Sequence, residues 1–165
     1  MSELNFTITP ETSADASTIE KLHDRAFGPG RFTRTASRIR ETGNDDPRLS
    51  FIARAGTLLV GSIRQTPVKI SDLPCLLLGP LTVEPAFEGK GIGRALMKKS
   101  LEIAVHLGYK LVILVGDLPY YSKAGFKQVP MGRVTLSGPV DPSRLLYLEL
   151  EEGTLNLIKN GSVAA

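Results

Sequence analysis

Between Cys75 and Asp117 the chain changes its hydrophobic period twice, and this limits the folds open to it more than any other feature. "CLLLGPLTV" (75–83) is almost wholly apolar, as a strand covered on both faces requires. "EPAFEGKG" breaks that pattern. From residue 91 onward Ile92, Leu96, Ile103 and Leu107 recur at helical spacing, Arg94, Lys98 and Glu102 fall on another face, and Gly108 supplies the stop. "KLVILVGD" (110–117) then returns to a buried strand. Strand, helix and strand in this order predict a right-handed parallel crossover.

The preceding segments read as antiparallel. "LNFTITP" alternates as a first strand. "TSADASTIEKLHDRAF" opens with capping residues, carries Ile19, Leu22 and Ala26 at helical spacing and stops at Gly28-Pro29. A second helix is expected over residues 31–42. "LSFIARAGTLLVGSIRQTPVKI" predicts a hairpin turning at Ala55-Gly56, and a turn at Ser71-Asp72 leads into the apolar run. Beyond the crossover, "DLPYYSKAGFKQV" predicts a short helix and turn, followed by strands near 126–137 and 145–150. The tail "LNLIKNGSVAA" is expected to complete a sheet or to contact a second subunit. The expectation is an α+β fold in a single domain over residues 1–165, with a mixed, mostly antiparallel twisted sheet of six to seven strands and helices on both faces.

Composition excludes several classes. A charged fraction of 22% and a hydrophobic fraction of 42% are those of a soluble globular protein. A net charge of +3 is too mild to imply nucleic acid. Arg25, Arg31, Arg34, Arg38 and Arg40 cluster, yet Asp24, Glu41, Asp45 and Asp46 dilute them, so the segment reads as a solvated helix face with no nucleic-acid partner. No stretch approaches 18 apolar residues and the first residues lack a basic-then-apolar pattern, so no membrane partner and a cytoplasmic location are expected. The single cysteine, Cys75, reads as a buried, inert thiol. The two histidines are far apart: His23 is in the first helix and His106 near the end of the central one, so no metal site is expected.

Gly89, Gly91 and Gly93 alternate at the mouth of the central helix. A glycine loop opening a helix presents free backbone N–H groups and the positive end of the helix dipole, which together suit an anion such as phosphate. Lys90 and Arg94 add positive charge. Two phosphate motifs fail on spacing. The P-loop needs Lys-Ser or Lys-Thr after its last glycine, but Lys90 is followed by Gly91, and the dinucleotide fingerprint needs a glycine where Arg94 or Leu96 stands.

The run "EGKGIG" (88–93) resembles the signature of the GNAT superfamily of acetyl-CoA-dependent N-acetyltransferases, Arg or Gln followed by x-x-G-x-G or x-x-G-x-A. Gly91 and Gly93 stand in the glycine places and Glu88 departs from the Arg or Gln. "LLLGPLTVEP" looks like the family's fourth strand, "LVILVGD" its fifth and "YYSKAGF" its Y-x-x-x-G-F element, so the likeness covers residues 76–126 and the hairpin before them. In detail the chain resembles a small, single-domain bacterial branch.

The resemblance implies a sheet splayed between the fourth and fifth strands, with acetyl-CoA as co-substrate and no metal. By resemblance, the loop of Glu88, Gly89, Lys90, Gly91, Ile92, Gly93 and Arg94 holds the pyrophosphate, the backbones of Leu81, Thr82 and Val83 contact pantetheine, and Tyr121 is the general acid. A phenol with a pKa of about 10 can protonate a thiolate whose conjugate acid is near 8.5. The acceptor is expected to be a small-molecule or peptide amine, and the protein a monomer or homodimer. No residue is assigned as general base. Glu84 and Asp117, at the strand ends, read as surface or capping carboxylates. The alternative is a non-catalytic module on the same fold that binds or senses acyl-CoA or binds a partner.

Overall fold

In the computed structural model, residues 5–27, 46–136 and 138–164 are described. The helix expected over 31–42 and the arginines at 31, 34, 38 and 40 lie outside them. β1 (Thr7–Pro10) pairs with β2 (Phe51–Ala55), β2 with β3 (Leu58–Ile70) and β3 with β4 (Leu73–Val83), all antiparallel. Ser71 and Asp72 both adopt positive φ, 47° and 71°, the backbone that a tight two-residue hairpin needs to follow the twist of its strands. α1 (Ala16–Phe27) follows a 3-10 turn whose Thr12 and Asp15 form a reciprocal capping box.

The predicted crossover is present: α2 (Ile92–His106) leads from β4 to β5 (Leu111–Val115), which runs parallel to β4. α3 (Leu118–Tyr121) and a 3-10 turn follow. The expected strand over 126–137 is instead two short ones, β6 (Lys127–Gln128) and β7 (Val134–Thr135). Pro130 lacks an amide donor and Gly132 has φ 79°, so the chain turns there, with the Arg133 amide donating to the Pro130 carbonyl. β8 (Leu145–Glu149) inserts between β5 and β6. β9 (Gly161–Ala164) pairs with β3 and β7, so the apolar tail completes the sheet.

The described sheet therefore has nine strands rather than six to seven, because the C-terminal segment supplies short ones that its weak periodicity does not announce. Successive residues of the buried strands feed opposite faces. Leu76, Leu78, Val112, Leu114 and Leu146 pack with Ile92, Leu96 and Met97 of α2. Cys75, Leu77, Leu111, Ile113 and Leu145 face the other way, onto Val129, Val134, Leu155 and Val163. α1 covers that second face nearer β2 and β3, through Ile19 and Leu22 on Ile52 and Leu59. α2 lies so close to β3 that a Cβ on Gly61 would stand 2.8 Å from Ile92 Cγ2.

Candidate active site

β4 and β5 are hydrogen-bonded neighbours only at Leu76↔Val112 and Leu77↔Ile113. Beyond these pairs β4 runs on to Val83 and β5 to Val115 without each other, so a wedge opens at their carboxyl ends. β4 stays paired to β3 through Gly61↔Val83, Ser62↔Thr82 and Ile63↔Leu81, which leaves its β5-facing edge at residues 81–83 free for an extended ligand. A register shift separates these pairs from Gln65↔Leu78, and the intervening Gly79–Pro80 peptide is cis.

The wedge faces the amino terminus of α2. Gly91 is its N-cap at φ 87°, a left-handed conformation that a residue with a Cβ adopts at a cost, and it brings no capping side chain. The first amide drawn into the helix is that of Ala95, which donates to Gly91, so the amides of Ile92, Gly93 and Arg94 precede the intrahelical ladder. Gly89 also has positive φ, and Glu88, Lys90 and Arg94 are exposed around it. Gly93 serves a different purpose: a Cβ there would meet the Tyr120 hydroxyl at 2.7 Å, Val83 Cγ2 at 3.6 Å and Leu81 Cδ2 at 4.0 Å. This backbone cradle, with no Cβ at its tightest point, fits a diphosphate.

Two expected site residues reach the wedge through backbone alone. The Ile92 side chain is sunk in the α2 core, and the Thr82 side chain is buried on the face away from α2. Tyr121 is half-buried, its ring edge-on to Tyr120 and Phe126, and a Cβ on Gly116 would meet its Cε2 at 2.5 Å. Gly116 follows β5, so Tyr121 packs on the second wall of the wedge. Tyr120, noted in the sequence only as a neighbour, places its hydroxyl on the cradle itself. Burial raises its pKa above the usual phenol value although Arg94 pulls it down, which keeps it a hydrogen-bond donor.

The remaining titratable groups sort clearly. Glu84 is held by Arg25 at 2.5 Å and Asp117 by Arg144, so both carboxylates are engaged in ion pairs. Asp117 and Arg144 line an open cavity of about 550 Å³ with Tyr120, Gln128 and Ser143. His106 is exposed, but His23, for which the sequence signals no environment, is only 3% exposed. Cys75 is buried, and burial pushes its thiol up to about 12, so no thiolate is available for covalent chemistry. Among the described residues no three metal-ligating side chains come together, and no helix is long and apolar enough to cross a membrane.

The acetyltransferase (GNAT) family model matches residues 16–126. The chain is 31% identical over 127 residues to an uncharacterized N-acetyltransferase, YjhQ, of Escherichia coli, covering 74% of this chain and 70% of YjhQ. It is 29% identical over 151 residues to a second uncharacterized E. coli N-acetyltransferase, YhbS, covering 90% of each. The crystal structure of YhbS in complex with CoA superposes with a TM-score of 0.84 at 26% identity, over 99% of this chain and 91% of that one. A Brucella melitensis GNAT acetyltransferase in complex with acetyl-CoA shares the fold, with a TM-score of 0.69 at 24% identity over 99% and 97%. The wedge, the glycine-opened helix and these matches agree: the chain belongs to the GNAT family of acetyltransferases.

Proposed function

We propose that the chain, working as one domain, transfers an acetyl group from acetyl-CoA to a primary amine by direct attack within a ternary complex. The observation that carries this reading is the junction of two features: the free edge of β4 at Leu81, Thr82 and Val83, and the uncapped amino end of α2 at Gly91 and Gly93. The amides of Ile92, Gly93 and Arg94, with Lys90 and Arg94 beside them, hold the pyrophosphate. The edge of β4 aligns the pantetheine arm and offers an amide to the carbonyl oxygen as negative charge develops there. Tyr121, against Gly116, protonates the departing thiolate. The structures of YhbS with CoA and of the Brucella protein with acetyl-CoA support the choice of co-substrate. Glu88 in place of Arg or Gln leaves this reading intact, since the cradle is built of backbone amides.

Calorimetry with CoA, followed by thiol release from acetyl-CoA with a panel of primary amines, tests the proposal. Binding with turnover on at least one amine is expected. Absence of CoA binding overturns it, and binding without turnover on any amine points to a sensing module.

A further inference from the structure

Gly61, Ile63 and Gln65 alternate onto the face of β3 that α2 covers. Gly61 lies under Ile92 and Leu96, where a Cβ would stand 2.8 Å and 3.0 Å from their side chains. Gln65 lies under Ser100, and its side-chain Nε2 donates to the Ser100 carbonyl at 3.1 Å. Gly61 to Gln65 spans about 13 Å of strand and Ile92 to Ser100 about 12 Å of helix, so the two contacts keep step and α2 runs along β3.

The second contact is polar in an otherwise apolar interface. The buried residues of α2 are Ile92, Gly93, Leu96, Met97, Ser100 and Ala104, of which Ser100 is the polar one. Gln65 is 2% exposed and Ser100 0%. Among the described residues neither Gln65 Oε1 nor Ser100 Oγ has a hydrogen-bond partner, so an unbranched apolar side chain at position 65 would cost the fold little. What the hydrogen bond adds is direction. Hydrophobic burial is indifferent to a small slide of one element along another, whereas a bond at 3.1 Å is not.

Gln65 also stands at the bulge beyond which the edge of β4 is free. It pairs with Leu78 while Ile63 pairs with Leu81, so Arg64 on β3 faces both Gly79 and Pro80 on β4. The extra residue turns β4 out of line, and residues 81–83 follow it. Resting on the transferase reading, we propose that Gln65 is a positioning residue for acetyl-CoA: its bond to Ser100 fixes where α2 stands along β3, and so the span between the β4 edge and the diphosphate cradle. β3 is the rail common to both, since Gly61 pairs with Val83 and touches Ile92. A ligand that joins diphosphate to pantetheine covalently fits one span, and a misplacement of about 1 Å is enough to weaken its hold on the two sites together. By reciprocity, CoA favours the bonded state by the same factor that the bond adds to its affinity.

The chain has two glutamines, so side-chain amide NMR resolves Gln65 against exposed Gln128 as an internal control. Saturating wild type with CoA is expected to slow solvent exchange of the Gln65 Nε2 hydrogens about tenfold, and Gln65→Met is expected to bind CoA about tenfold more weakly at an unchanged or higher Tm. With the amine acetylated fastest in the panel, Gln65→Met lowers kcat/KM about tenfold on acetyl-CoA but less than about twofold on acetyl-pantetheine, which lacks the diphosphate and so bridges nothing. A glutamine that only supports the fold would lower Tm and both substrates alike, and that result overturns the proposal. Gln65→Met with wild-type CoA affinity overturns it too, as does Gln65 exchange unmoved at CoA saturation, a measurement that needs no variant to fold. Lack of CoA binding by wild type overturns the transferase reading itself, while binding without turnover of any amine leaves exchange and affinity to decide the role of Gln65.

Discussion

The phenol oxygen of Tyr120 stands 2.7 Å from the point a Cβ on Gly93 would occupy. Cradle and tyrosine thus lie against each other, and the space at this glycine is limited by the Tyr120 hydroxyl rather than by its own backbone angle. Gly91, two residues earlier, is the opposite case: its φ is 87° and nothing lies within 4 Å of its absent side chain.

The two glycines should respond differently to alanine. Gly91→Ala forces an L-residue into the left-handed region at a cost of about 1–2 kcal/mol, so Tm falls. Gly93→Ala gains helix propensity but pushes Tyr120 aside, so Tm holds while the Kd for CoA rises about tenfold, near 1.4 kcal/mol. Thermal melts and calorimetry on both variants check this.

The adjacent tyrosines should separate binding from chemistry. Tyr121→Phe keeps the ring against Gly116 and Phe126 but removes the acid, so kcat falls about 100-fold while CoA affinity is retained. Tyr120→Phe removes the donor from the cradle, so CoA affinity falls and kcat at saturation changes little. Steady-state kinetics paired with calorimetry distinguish the two.

Glu84→Gln tests whether the carboxylate past β4 is the general base. Its ion pair with Arg25 is partly solvated, so stability should change by less than about 1 kcal/mol. The pH profile of kcat/KM is expected to keep its wild-type shape, and loss of its ascending limb would make Glu84 the base.

Asp15 should govern part of the acid limb of stability. The Thr12 amide, then the Thr12 hydroxyl and Arg54, hold its carboxyl below the ordinary value of 3.8 despite burial. Because the folded pKa is the lower one, this stabilisation is full above about pH 4 and is lost as pH falls through the folded value. Asp15→Asn should cost about 1 kcal/mol at pH 7 and flatten the acid decline of chemical denaturation below pH 4.

Local physics fixes what could be read in advance. The apolar runs around Leu76 and Val112, the helical stripe of Ile92 and Leu96 and the alternate glycines are properties of neighbouring residues, so hairpin, crossover and anion loop follow from their order alone. The end of β4–β5 pairing after Ile113, the choice of Tyr120 for the cradle and the burial of His23 depend on where distant segments come to rest. The same holds for β9, whose four residues carry little periodicity and become a strand because β3 leaves an edge beside Lys69 and Ile70 for them to pair with. Periodicity reports which face a residue turns inward, and only packing decides what it meets there.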